Sequence, residues 1–316
     1  MTLNDTARAW LSRATGFAPA QLRLQTLAGA TSSTVSMVTA AGGSERFVLR
    51  VLDNAAWLAE EPDVAEHEAA ALTQAQRARL PAPRLVAIAG PEAGFGAPVV
   101  LMSFLAGCVQ LRPENFDSWL AALATQLATI HAHPAESLRW SFDSWVDAEA
   151  LAPPAWSTKP AMWQTAIDRW RSGPPTEPVV FVHRDYHPVN VLWQDGAVSG
   201  VVDWVSACRG PAGVVVAHCR TDLTLMYGPA LAAGFLAAYR AAVPGYRYDP
   251  YWDIDSILDM CLPEPSYYPP WREFGLAHVG MPELRRRLET HLEAVVQRLE
   301  GRIRKPGMEC PRRRDG

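Results

Sequence analysis

The sequence predicts an α+β protein in two lobes, a small and mostly antiparallel sheet lobe followed by a larger, mainly helical one. Three observations predict it. Short strand-like runs crowd roughly the first hundred positions around one strong helix pattern. Long helical stripes follow them, at residues 119–131 and 284–303. Between these stripes a strand, a loop and a hairpin fill residues 179–204.

The elements follow in order. A helix opens the chain at about residues 4–15, and strands follow at about 22–28, 35–40 and 46–52, the last alternating as RFVLRVL. Residues 62–76, PDVAEHEAAALTQAQ, place proline early and good helix formers after it. Strands near 84–88 and 99–104 complete the sheet lobe. Then ENFDSWLAALATQLATIHAHP sets Trp119, Leu123, Leu127 and Ile130 on one stripe ending at His131, which reads as a packed core histidine. Residues 151–178 are rich in proline and tryptophan, with Trp163, Ile167 and Trp170 at helical spacing; these rings cover the core in the simpler reading and form an exposed aromatic wall in the other. At the end, Leu284, Leu288, Leu292, Val295, Leu299 and Ile303 form a stripe. Arg285, Arg286 and Arg287 are interleaved there with Glu289, Glu293 and Glu300, so a docked amphipathic helix or a dimer contact fits better than a membrane surface. Residues 305–316 read as a disordered tail.

Composition sets bounds. A chain of 316 residues with 49% hydrophobic residues can bury a large core, and a net charge of −4 gives no global reason to expect nucleic acid. No apolar run approaches the roughly 20 residues of a membrane span, and the opening MTLNDTARAW lacks a signal-peptide pattern, so a cytoplasmic protein without membrane contact is expected. Cys108, Cys208, Cys219, Cys261 and Cys310 are scattered without a CxxC pair, which points to reduced thiols.

The chemistry concentrates in FVHRDYHPVNVLW, residues 181–193, followed by VSGVVDW, residues 198–204. PVVFVH reads as a buried strand, VNVLW as a second strand, Asp195-Gly196 as a hairpin turn, and VSGVVDW as a third strand ending at Asp203. Loop, hairpin and carboxylate then converge on one spot. An aspartate that orients an attacking hydroxyl suits Asp185, while Asn190 and Asp203 offer the hard oxygens that magnesium takes beside phosphate. A metallohydrolase built on His183, Asp185, His187 and His218 is a weaker alternative, because it leaves Asn190 and Asp203 without a role.

These residues resemble the aminoglycoside phosphotransferase and choline kinase family, small-molecule kinases with a protein-kinase-like fold. The family loop reads H-G-D-x-H-P-x-N-[VI]-L, and this chain departs from it with Arg184 where glycine is common. The resemblance runs from about Leu22 to about Tyr239. It implies a nucleotide-binding N-lobe at 1–102, a hinge at 103–109 whose backbone meets adenine or guanine, and a C-lobe at 110–304 holding the catalytic loop and acceptor site. The implied reaction moves the γ-phosphate of ATP or GTP to a hydroxyl of an aminoglycoside-like or other small alcohol. Asp185 would be the base, and Mg2+ would sit on Asn190 and Asp203.

A kinase also needs a cation on an N-lobe strand. The only lysines, Lys159 and Lys305, are misplaced, so Arg50 takes that position, with Glu68 as its helix partner and Glu66 as a fallback. Gly29 and the hydroxyls of Thr31, Ser32 and Ser33 stand in for a glycine-rich phosphate loop. An aspartate that the family uses to brace the catalytic loop is expected near residues 214–216 but is missing; Asp222 lies further on at the wrong spacing. That gap, the poor glycine loop and Arg50 for lysine motivate a second reading, a nucleotide-binding module without strong catalysis. Asp249, Asp253, Asp255, Asp259 and Glu264 form an acidic run that would attract a cationic acceptor, or else a solvated helix face. A monomer or a homodimer fits equally well.

Overall fold

A computed structural model describes residues 3–27, 29 and 32–303, with side chains through residue 299. The predicted tail at 305–316, Lys305, Cys310 and Thr31 lie outside the described residues. A five-stranded antiparallel sheet is built from β1 (Leu22–Thr26), β2 (Thr34–Ala40), β3 (Arg46–Val51), β4 (Leu85–Ala89) and β5 (Val99–Ser103), in the order β1-β2-β3-β5-β4. The period of two along β3 decides the two faces of this sheet. Phe47, Leu49 and Val51 pack with Leu11 of α1 (Asp5–Thr15), whose first turn is capped by the Asn4 side chain accepting from the Ala7 amide. Arg50 alternates to the opposite face and is buried there.

That second face is covered by α3 (Val64–Arg77), which follows a short α2 (Ala55–Glu60) that the sequence pattern did not announce. Helix α3 buries Val64, Ala65, Ala69 and Leu72 along one side, and Glu68 lies among them, fully buried. After β5 the chain crosses to β6 (Cys108–Val109) and α4 (Phe116–His131), where Trp119, Leu123, Leu127 and Ile130 are buried as their spacing predicts. Helix α5 (Pro160–Arg171) buries Trp163, while Trp170 donates to Asp255. Those rings therefore serve the core, although Trp145 stands 56% exposed.

Strand β7 (Val179–Val182) pairs antiparallel with β10 (Cys208–Pro211), and β8 (Val191–Gln194) lies between β6 and β9 (Ala197–Val201). The turn between β8 and β9 holds Asp195 and Gly196 at positive φ, 51° and 77°, as a tight Asp-Gly hairpin requires. One expectation needs correction: the strand stops at Val201, and Asp203 sits beyond it at φ 67°. Leaving the strand frees the Asp203 side chain from the period of two and lets it turn towards β3.

Helices α6 (Ala212–Tyr227), α7 (Pro229–Ala242), α8 (Tyr251–Cys261), α9 (Pro270–Glu273) and α10 (Met281–Ile303) complete the larger lobe. Helix α6 is apolar almost all round and is enclosed by α7, α8 and α10, so its polar residues need internal partners. Helix α10 docks by Leu284, Leu288, Leu292 and Val295, while Arg286 pairs with Glu283 on the outside. No helix among the described residues is long and apolar enough to cross a membrane.

Candidate active site

The loop after β7 is held by its first two residues. His183 is fully buried and its Nε2–H donates to the Val202 carbonyl at 2.9 Å, which ties this loop to the segment carrying Asp203. Burial lowers the His183 pKa to about 4, so the ring is neutral. Arg184 has φ 71°, a left-handed conformation that costs a side chain more than it would cost glycine. Its guanidinium lies over the rings of Trp145, at 3.8 Å, and Phe142, at 4.6 Å, and these contacts offset part of that strain.

Asp185 follows, with its side chain 38% exposed. Asn190 donates from Nδ2 both to the Asp185 carbonyl at 2.9 Å and to its Oδ2 at 3.0 Å. His218 Nε2 lies 3.0 Å from Oδ1, and His187 Nε2 lies 3.7 Å from the same oxygen. Burial pushes the Asp185 carboxyl up, but His187 and His218 outweigh it and hold the group below the usual carboxylate range. His218 also faces Asp222, at 3.4 Å, and the hydrogen bond to Asp185 with the charge of Asp222 raises its pKa against the effect of burial.

Across the cleft, Arg50 joins the two lobes. Its guanidinium meets Asp203 Oδ1 at 2.7 Å and Glu68 Oε2 at 3.3 Å. Burial works against its charge, yet Asp203 and then Glu68 more than offset that, so it stays protonated. Burial pushes Glu68 up to about 7 in spite of Arg50. Glu66 is exposed on another side of α3, so Glu68 is the partner. Lys159 pairs with Glu293 and has no part in this cluster.

The β1–β2 loop meets a segment that sequence reasoning overlooked. Gly29, at φ 91°, leaves only 3.2 Å between a Cβ at that position and the Phe274 ring. Tyr268, six residues before Phe274, sets its ring 5.9 Å from that of His187. Residues 262–280 thus touch both the loop of the sheet lobe and the Asp185 loop, and the cluster SYYPPW was the only signal for it. In the β1–β2 loop, Ser33 Oγ is buried with no hydrogen-bond partner, and Ser32 is half-buried beside it.

The acidic run is not the open patch expected from its sequence. Asp253 makes two hydrogen bonds to buried Arg220, Asp249 lies 3.5 Å from Arg169, and Glu264 pairs with Arg285. Asp255 is buried and accepts from Ser144 and Trp170, so it does not belong to a solvated face. Cations distant in sequence neutralise these groups, which a local reading of charge could not reveal. The reading of His183, Asp185, His187 and His218 as a metal centre also loses support, because His183 spends its Nε2 on a carbonyl. Among the described residues no three His, Cys, Asp or Glu side chains gather to hold a metal ion.

The phosphotransferase enzyme family matches residues 23–250. The chain belongs to that family. As a phosphotransferase it shares the protein-kinase-like fold of solved aminoglycoside and macrolide phosphotransferases. A type VIII aminoglycoside-3′-phosphotransferase is 20% identical with a TM-score of 0.55, covering 76% of this chain and 93% of its own. The macrolide 2′-phosphotransferase of Brachybacterium faecium is 19% identical with a TM-score of 0.54, covering 90% and 95%. A thermostable mutant of APH(4)-Ia, solved with ADP and hygromycin B, is 15% identical with a TM-score of 0.55, covering 92% and 97%. No curated protein sequence matches the chain.

Proposed function

We propose that this phosphotransferase moves the γ-phosphate of ATP or GTP to a hydroxyl of a small molecule, an aminoglycoside-like or other antibiotic alcohol, in the cytoplasm. The observation that carries the reading is the convergence of Arg50, Asp203, Asn190 and Asp185 on one cleft between sheet and helices. Asp185 receives the hydroxyl and orients it; phosphoryl transfer asks chiefly for positioning and charge stabilisation, so a weakly basic carboxylate suffices. Arg50, steadied by Glu68, contacts the α- and β-phosphates, and Gly29, Ser32 and Ser33 line the phosphate loop, with Ser33 Oγ buried and unpartnered there. The N-lobe at 1–102 and the hinge at 103–109 serve the nucleotide, and the C-lobe at 110–304 serves the acceptor.

The donors present also fit a magnesium ion. Asn190 uses its amide nitrogen on Asp185, which leaves its carbonyl oxygen to face a cation, and Asp203 engages Arg50 through Oδ1 alone. When bound, the ion would neutralise charge on the phosphate oxygens. The Arg50–Asp203 contact joins the two groups proposed to take phosphate and metal.

For the acceptor, Trp145, Leu151, Pro153, Leu258, Leu262 and Asp259 line a cleft of about 470 Å³. Trp145 links this cleft to the Asp185 loop through Arg184. Thermal stabilisation by magnesium with ATP or GTP, followed by a transfer screen over aminoglycosides, macrolides, choline and sugars, tests the proposal. Transfer to one class supports it. Stabilisation with no transfer to any of them favours a nucleotide-binding module, and no stabilisation removes the kinase reading.

A further inference from the structure

Where a bracing aspartate would stand, α6 carries Val214, Val215 and Val216, all buried and none able to hold the Asp185 loop by charge. One turn further along the same helix is His218. We propose that His218 is the positioning residue for Asp185, offering its Nε2–H to Oδ1 of Asp185 at 3.0 Å, with Oδ2 of Asp222 lying 3.4 Å from the same nitrogen as a charge neighbour. This rests on the reading of Asp185 as the group that receives the acceptor hydroxyl.

The contacts pin the carboxylate from two sides. Asn190 holds Oδ2 and His218 holds Oδ1, so rotation of the carboxylate plane would break one hydrogen bond or the other. Each oxygen keeps a second lone pair for the incoming hydroxyl. The imidazole is itself fixed, because α6 is locked into the core by Arg220 bonding to Asp253 and by the Ser256 hydroxyl donating to Thr221. Asp222, one turn beyond His218, is 5% exposed and supplies the charge that keeps the ring in place. A site held by a buried helix is more rigid than one held by its own loop. The groups whose charges or rings bear on His218 are Asp185, Asp222, His187, Arg184 and Asp259, and the two nearest are carboxylates.

The test uses the full chain with MgATP as the probe, reading ADP release to water and to any acceptor found. His218→Ala lowers kcat by about 10²-fold, the cost of letting a catalytic group drift by an ångström. KM for MgATP stays within about twofold, because His218 touches neither Arg50 nor Asp203. His218→Gln, whose amide N–H can replace the donor, recovers at least part of that loss. An unchanged kcat in His218→Ala, or a KM that rises in step with the loss, overturns the proposal.

A second measurement does not depend on turnover or on the alanine variant folding. The imidazole nitrogen shifts of His218 in the wild type report a proton on Nε2 in both charge states of the ring, and Asp222→Asn moves its titration to lower pH. A neutral ring with its proton on Nδ1 overturns the contact proposed here. A wild type that binds MgATP but releases no ADP, with or without acceptors, overturns the phosphotransfer reading instead, and the nitrogen shifts then decide the His218 contact alone.

Discussion

Arg50, Glu68 and Asp203 form a charge cluster drawn from a strand, a helix and a loop, whereas Asp185, His218 and Asp222 are gathered by one loop and one helix. Both clusters place one cation between two carboxylates. In the first, the cation is a guanidinium that cannot be deprotonated, and one carboxylate, Asp203, faces the cleft with its side chain 31% exposed. In the second, the cation is an imidazole whose charge depends on its neighbours. Under the proposed function the difference separates two tasks. A permanent charge suits phosphate and metal, while a conditional one suits the setting of a carboxylate.

The sharpest way to break this comparison is at Asp185. Replacing it by alanine is expected to lower phosphate transfer by about 10²- to 10⁴-fold while MgATP affinity hardly changes, as steady-state kinetics beside a binding titration will show. Loss of nucleotide affinity in Asp185→Ala would merge the two clusters into one functional unit.

Removing the guanidinium should damage the other side in a different way. Arg50→Ala leaves Glu68 fully buried without its cation, which costs on the order of 3–5 kcal/mol of stability and also weakens MgATP binding. Denaturant melts of Arg50→Ala with and without Glu68→Gln check this, because neutralising the stranded carboxyl should restore part of the loss. No restoration would show that Glu68 is not the group harmed.

Histidines without a bonded carboxylate behave in the opposite sense to His218. His183, which bonds a carbonyl, and His131, which bonds the Tyr239 hydroxyl, are buried, and their pKa values fall from 6.5 to about 4 and about 3. Both are neutral in the fold and take up protons on unfolding. Their contribution is therefore present above about pH 6.5 and is lost as pH falls towards 4, on the order of 3 kcal/mol for each ring. Denaturation at pH 7 and pH 5 measures the slope. His131→Gln should flatten it, and an unchanged slope would place the lost protons elsewhere.

The smallest effect is expected on the surface. Arg286, paired with Glu283 on the outside of α10, should cost no more than about 0.5 kcal/mol on replacement by alanine, as a thermal melt would show. A larger loss would mean that the outer face of α10 is covered in solution.

The side proposed for the nucleotide was legible in the sequence to a degree that the side proposed for the acceptor was not. Asp185, Asn190 and Asp203 share a short stretch of fixed spacing, and the resemblance to kinases with a strand cation and a helix glutamate picks out Arg50 and Glu68. The Asp185–His218–Asp222 contact escaped because it depends on how α6 packs under the loop, and the sequence offered His218 only as a ligand in the metallohydrolase alternative. The acidic run misled for the same reason: the cations that neutralise Asp249, Asp253 and Glu264 lie at Arg169, Arg220 and Arg285. Residues 262–280 gave no periodic signal at all, so their contacts with Gly29 and His187 emerged only from the fold.

Local patterning by itself determined the two lobes, the strands of the sheet lobe with α1 and α3, helices α4 and α10, and the strand, loop and hairpin of residues 179–204, because side-chain periodicity and turn chemistry act over a few residues. Tertiary structure alone decided that Asp185 meets His218 and that Arg220 meets Asp253. Electrostatic pairing depends on distance in space, and a chain of 316 residues brings together partners that no local window contains.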